Sequence, residues 1–266
     1  MGQKLRLDNM GLAAQLWIFA ITVLIGYSNP SSAALTQIQD PQKCPNGLCW
    51  EIAGLITQSD LKELTRVVDR LSRTKATPFF YLNSKGGDVE VAIAIGRQLR
   101  RFGATALTWD SSECFSSCVF ILAGAVRRIL AGKIGIHRPY SSRTDKRDYQ
   151  AIQLDQRRLA KLAKDYLEEV NVSPSLYDAM VRVAPEKIKL LSKSELESYG
   201  LLEVDPVEQE LEDAAEARKY GLSKVEFMRK KSQVDVICAR ELKRGRVFGD
   251  FDSYYQCRAE VFSSRR

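Results

Sequence analysis

Two serines stand between two cysteines in Glu113-Cys114-Phe115-Ser116-Ser117-Cys118, at the head of the apolar run Val119-Phe120-Ile121-Leu122-Ala123-Gly124. Downstream, Ile134-Gly135-Ile136-His137-Arg138-Pro139 carries the sole histidine among 266 residues. Upstream lies a glycine pair, Asn83-Ser84-Lys85-Gly86-Gly87-Asp88. Serine is a weak nucleophile at neutral pH and needs a base within hydrogen-bond reach, a group to orient that base, and donors for the oxyanion. Ser116 or Ser117 supplies the nucleophile and His137 the base. Backbone N–H groups at Gly87 and at the residue after the nucleophile supply the oxyanion hole, glycine because it lets the backbone approach substrate closely. A helix starting just past the serine adds a dipole favourable to developing negative charge.

The elements around these residues alternate between strand and helix. Leu61, Leu64, Val67, Val68 and Leu71 fall at helical spacing, with Ser59 or Asp60 as cap. Thr77–Asn83 reads as a strand ended by Gly86-Gly87, and Asp88 opens a helix through Arg101 with a wide apolar face. Gly103–Trp109 is the next strand, Ser117–Ala125 a helix, and Arg127–His137 a further strand region. This order predicts an α/β fold with its site at the carboxyl ends of parallel strands. Gln37–Glu51 reads as a loop closed by its own cysteine pair. Thr144–Val170 reads as one long charged helix with Tyr149, Ile152, Leu159, Leu162, Tyr166 and Leu167 as its apolar residues. Ser173-Pro174-Ser175 opens another helix, with Pro174 at the first helical position. Leu190–Leu196 is a strand leading into a capped helical turn.

Phe79–Tyr140 resembles the ClpP-like serine peptidases of the ClpP/crotonase superfamily. Tyr81-Leu82-Asn83-Ser84-Lys85-Gly86-Gly87-Asp88 resembles the family's strand and Asn-Ser-Pro-Gly-Gly, with Lys85 in place of proline. Cys114-Phe115-Ser116-Ser117-Cys118-Val119-Phe120 resembles its nucleophile segment, and Ile136-His137-Arg138-Pro139 its Ile-His-Gln-Pro. Leu191-Ser192-Lys193-Ser194-Glu195-Leu196-Glu197-Ser198-Tyr199-Gly200-Leu201 resembles a further family motif, and the likeness spans about residues 50–205. It implies a fold of repeated β-β-α units with a projecting handle helix over 144–170. It further implies Ser116 as nucleophile, Ser117 and Gly87 as oxyanion donors, His137 as base, peptide or unfolded protein as substrate, a homo-oligomer, and no cofactor.

The sequence departs from the pattern at the third catalytic residue. The family places an aspartate shortly before the Leu-Ser, and no Asp stands between Asp178 and Asp205. Counting forward from Ser175-Leu176 puts Glu186 there; counting back from Leu191-Ser192 puts Ile188. Glu186 is the orienting carboxylate on the first count, and a Ser-His dyad is the reading on the second.

Residues 1–34 have the layout of a secretory signal peptide: Lys4 and Arg6, an apolar segment from Gly11 to Tyr27, then Ser28-Asn29-Pro30-Ser31-Ser32-Ala33-Ala34. Cleavage after Ala33 or Ala34 is expected, placing the mature chain in the periplasm; an uncleaved segment would anchor it in the membrane. All 6 cysteines follow the leader, and in an oxidising compartment the sequence-local pairs are Cys44 with Cys49, Cys114 with Cys118, and Cys238 with Cys257. One histidine and no pair of C-x-x-C motifs argue against zinc, and an oxidising location argues against a cysteine nucleophile. The net charge of +7 is spread among interleaved acids without a basic stripe, which argues against a nucleic-acid partner.

The chain thus divides into a leader (1–34), a ClpP/crotonase-like α/β domain (35–206) and a charged, mostly helical C-terminal extension (207–266) that Cys238 and Cys257 would staple. The function expected is an exported serine hydrolase cleaving peptides or unfolded protein through an acyl-enzyme at Ser116. Its rival is a catalytically weak binding or scaffold protein of the cell envelope keeping the same fold. A crotonase-type acyl-CoA enzyme is the third reading, and export removes its CoA. The family's ATP-driven unfoldase would also be missing outside the cytoplasm, and no P-loop replaces it.

Overall fold

The computed structural model describes residues 34–264 apart from 41, 45–46, 72–76, 141–148, 203 and 239–250. Of the expected leader only Ala34 is among them, and the start of the long helix at 144–148 lies outside them.

Strand β1 (Ala34–Gln37) pairs antiparallel with β2 (Cys49–Ile56), which runs parallel to β3 (Phe79–Gly87). The segment expected as a loop from Gln37 to Glu51 therefore has strand at both ends. Gly54, at φ 81, interrupts β2 with a register shift between Ala53 and Leu55, which breaks the alternation a strand would show in sequence.

The sheet forks at β3. Its first residues, Phe79–Tyr81, pair with β4 (Thr105–Thr108), while Ser84 further along pairs with Cys114 of β5 (Glu113–Phe115). One branch continues from β4 to β6 (Arg127–Leu130). The other runs from β5 to β7 (Lys133–Ile136) and closes with antiparallel β8 (Lys189–Leu190). Consecutive strands β4 and β5 go to different branches, as do β6 and β7, so each unit of two strands feeds both.

Helix α1 (Gln58–Leu71) starts a residue earlier than the apolar spacing implies: the backbone N–H and hydroxyl of Thr57 both donate to Asp60 Oδ2, at 2.7 and 2.8 Å, so Asp60 serves the first turn from inside the helix. Helix α2 (Val89–Arg101) begins where expected, Asp88 accepting from the N–H groups of Glu90 and Val91. It crosses α3 (Cys118–Gly124) at two glycines. A methyl on Gly124 would lie 2.3 Å from the Gly96 carbonyl oxygen, and one on Gly96 would lie 2.0 Å from the Tyr166 hydroxyl. That approach seats every residue of α3 in the core.

Helix α4 (Tyr149–Glu169) has two halves. Ala163, Tyr166 and Leu167 are buried, and the Tyr166 hydroxyl donates to the Phe120 carbonyl at 2.8 Å. Ile152 and Leu154 in the other half are exposed, so that half lies outside the core. Helix α5 (Ser175–Arg182) follows, with Pro174 at its cap rather than its first turn. Ser192 and Glu195 form the reciprocal capping box of α6 (Lys193–Ser198).

The extension holds α7 (Pro206–Lys219), α8 (Lys224–Ile237) and α9 (Phe251–Ser263) around a small core of Ala217, Phe227, Val234, Cys238 and Phe262. It does not hang free of the α/β unit. Asp205 caps α7 and, with its side chain fully buried, pairs with Arg100 of α2 at 3.0 Å and Arg128 of β6 at 3.1 Å. Arg127 reaches Glu208 alongside.

Candidate active site

Ser116 occupies the turn between β5 and α3 with φ 56, a left-handed conformation that costs a non-glycine residue roughly 1–2 kcal/mol. Surrounding bonds hold it there. Its N–H donates to the Gly135 carbonyl of β7 at 2.9 Å, and its own carbonyl accepts from Val119 at 3.1 Å. The Cys114–Cys118 disulfide ties the two ends of the turn, with Cα atoms 5.2 Å apart. A strained turn between strand and helix lifts a side chain out of both ladders, and a site exploiting such strain must be over-determined by its neighbours.

The glycine pair divides its work. Gly86, at φ 103, faces Ser116: a methyl there would lie 2.7 Å from Ser116 Cβ and 3.1 Å from the Ser117 nitrogen. Its own amide is taken by the buried Ser84 hydroxyl at 3.1 Å. Gly87 packs on the other side, where a methyl would lie 2.3 Å from the Ile56 carbonyl oxygen. In sequence Gly87 is the expected oxyanion donor and Gly86 only one half of an ordinary Gly-Gly turn; the contact with Ser116 belongs to Gly86. Among the described residues, no acceptor takes the Ser117 N–H, and the fully buried Ser117 hydroxyl has no hydrogen-bond partner.

His137 follows the last residue of β7, the strand whose Gly135 anchors Ser116. Both side chains are recessed, each residue 7% exposed. His137 Nδ1 lies 3.0 Å from the Arg138 carbonyl oxygen. A carbonyl can only accept, so this bond places the ring proton on Nδ1 and leaves Nε2 as the acceptor a general base requires. The Tyr140 ring lies beside it, centroids 5.9 Å apart. Among the described residues no hydrogen bond joins Ser116 Oγ to His137, and none joins His137 to a carboxylate. Glu186 is exposed, beyond the end of α5, without a hydrogen bond or ion pair among the described residues.

Ile188, on the alternative count, packs toward β7: a methyl on Gly135 would meet its Cγ2 at 2.6 Å. Arg138 N–H donates to the Val183 carbonyl at 2.9 Å, which fixes the backbone whose oxygen holds the imidazole. That backbone partner left no signal in sequence, since any residue type supplies it.

All three cysteine pairs, Cys44–Cys49, Cys114–Cys118 and Cys238–Cys257, are disulfides, so no described cysteine is free to act as a nucleophile or metal ligand.

A serine held at positive φ ahead of a buried helix, packed on a glycine strand and followed two strands later by a recessed histidine, is a serine-peptidase-like arrangement, and the forked sheet of two-strand units with its long helix is the ClpP-like fold. The chain belongs to the Clp protease family, whose model matches residues 70–224. Among solved structures, a mutant of the 1510-N membrane-bound stomatin-specific protease is similar at 15% identity, over 57% of this chain and 75% of that one, with a TM-score of 0.45. No curated protein matches the chain.

Proposed function

We propose that this member of the Clp protease family is an exported serine peptidase that cleaves peptides or unfolded protein through an acyl-enzyme at Ser116. The observation that carries the reading is Ser116 at φ 56 against Gly86, with His137 recessed at the end of the strand that anchors it. In the reaction Ser116 Oγ attacks the scissile carbonyl while Nε2 of His137 takes its proton. The oxyanion lies against the free N–H of Ser117 and the N–H of Gly87. His137 then returns the proton to the leaving amine, and water repeats the sequence on the ester. The Arg138 carbonyl orients the ring, so the working unit is a Ser-His dyad, with Glu186 outside it.

Export is supported by the leader-like N-terminus and by three disulfides, which persist in oxidising compartments. The half of α4 with Ile152 and Leu154 exposed is the surface on which copies of the chain would assemble. Incubation with a peptide ester followed by intact mass and fragment mapping tests the reaction: the reading expects an acyl adduct on Ser116, and hydrolysis without any adduct there contradicts it. A second reading, a catalytically weak binding or scaffold protein of the cell envelope, is favoured by one observation: His137 lacks both a bond to Ser116 and a carboxylate partner among the described residues.

A further inference from the structure

We infer that the Cys114–Cys118 disulfide is a positioning element of the nucleophile, so that Ser116 reaches full reactivity only in the oxidised chain. The inference rests on the reading of Ser116 as the nucleophile. The bridge encloses only Phe115, Ser116 and Ser117, and both of its cysteines are fully buried. Cys114 sits in the middle of β5, in register with Ser84 of β3 and Ile134 of β7. Cys118 is the first residue of α3, itself buried throughout. One end of the bridge is therefore fixed by two strands and the other by a core helix. The short turn between them, held by its bonds to Gly135 and Val119, is where any relative shift of the two ends must be absorbed.

Two thiols cannot approach as closely as two bonded sulfurs, and close-packed interiors offer no slack. Reduction must move the first turn of α3 relative to β5, or rotate a thiol into packed neighbours. Either change falls on a residue already in an unfavourable left-handed conformation, and relaxation of Ser116 carries Oγ away from the space beside Gly86. A displacement near 1 Å at a reacting atom costs about 10²-fold in rate. The other bridges lack this lever: Cys44–Cys49 sits in a separate cluster with Tyr81 and Leu107, and Cys238–Cys257 within the C-terminal extension.

The step is a thiol–disulfide exchange. Two Cys thiols lose two protons and two electrons to a disulfide oxidant, which leaves as two thiols, and the sulfur–sulfur bond forms across the turn. A chain not yet oxidised would carry a displaced nucleophile, and reaching an oxidising compartment would bring it to full reactivity.

The test compares full-length oxidised protein with C114A/C118A, C44A/C49A and C238A/C257A variants. Each is followed for fluorophosphonate labelling rate, peptide kcat and KM, and near-UV circular dichroism. The expected result is a loss of labelling rate and kcat of about 10²-fold in C114A/C118A alone, with KM and the folded spectrum retained. Wild-type protein reduced and then reoxidised by glutathione disulfide should lose and regain labelling in step with the 114–118 bond, followed by mass. Equal labelling with and without the bridge overturns the inference. So does loss of labelling only in samples that have lost the folded spectrum, which would make the bridge a stability element. Absence of labelling in the oxidised wild type would instead strike the peptidase reading beneath it.

Discussion

Gly86 and Ser116 stand so close that a methyl on the glycine would lie 2.7 Å from the serine Cβ, with the Phe115 carbonyl 3.0 Å away. The space the Ser116 side chain occupies is therefore defined by what Gly86 lacks. Gly86→Ala is expected to force the turn outward and lower kcat/KM by about 10²-fold, the scale of a displacement near 1 Å at a reacting atom. The φ of 103 at this position adds backbone strain. Peptide hydrolysis by folded Gly86→Ala at the wild-type rate would show that the contact does not position Ser116.

The dyad reading separates Glu186 from the chemistry. Removing the orienting carboxylate of a triad lowers kcat by about 10⁴-fold, whereas Glu186→Gln here is expected to leave kcat unchanged. The measurement is steady-state hydrolysis of a fluorogenic peptide. A fall approaching the triad value would restore Glu186 as the orienter.

Asp205 joins the α/β unit to the C-terminal extension. Its carboxylate is fully buried against Arg128, whose side chain is 3% exposed, and Arg100, and it also caps α7. Burial pushes the Arg128 guanidinium below its ordinary value, with Asp205 opposing the shift. Asp205→Ala leaves two cations without their counter-charge, and breaking a buried pair in this way costs about 3–5 kcal/mol. Urea unfolding should record that loss; a change comparable to a surface substitution would mean that the cluster is hydrated.

Tyr166 supports α3, donating to the Phe120 carbonyl from a fully buried position. Burial pushes its hydroxyl well above the ordinary tyrosine range, so it remains a neutral donor throughout the working pH range. Tyr166→Phe removes one neutral hydrogen bond and should cost about 1 kcal/mol. Denaturant midpoints check this, and an unchanged midpoint would contradict a supporting role for the bond.

Glu195 gives the pH dependence. Hydrogen bonds from Lys189 and from the Ser192 backbone and hydroxyl hold its carboxyl at about 2, down from 4.5. A carboxylate depressed on folding contributes stability that is fully present above its unfolded value and lost as pH falls through the folded one. The stability difference between wild type and Glu195→Gln should be constant above pH 4.5 and shrink towards pH 2. A difference that grows on acidification would contradict the capping geometry of α6.

Where local chemistry decides the structure, the sequence is readable. Asp88 announces α2, Ser192 and Glu195 announce the capping box, and the serine turn and histidine strand end lie where their motifs suggest. Pairing across the chain decides the rest. β5 is 3 residues long and exists because β3 and β7 flank it, so no period in Glu113-Cys114-Phe115 could reveal it. The ladder of β2 is masked by the Gly54 irregularity. The attachment of the extension rests on Arg100, Arg128 and Asp205, which are far apart in sequence and unremarkable singly. The partner of His137 is a main-chain oxygen, invisible to any reading of side chains.

Fluorophosphonate labelling of the oxidised, full-length protein decides whether Ser116 is the nucleophile. One modified residue is expected, Ser116, with labelling abolished in Ser116→Ala and strongly reduced in His137→Ala. Folded protein that takes no label, or label that persists in Ser116→Ala, would contradict it.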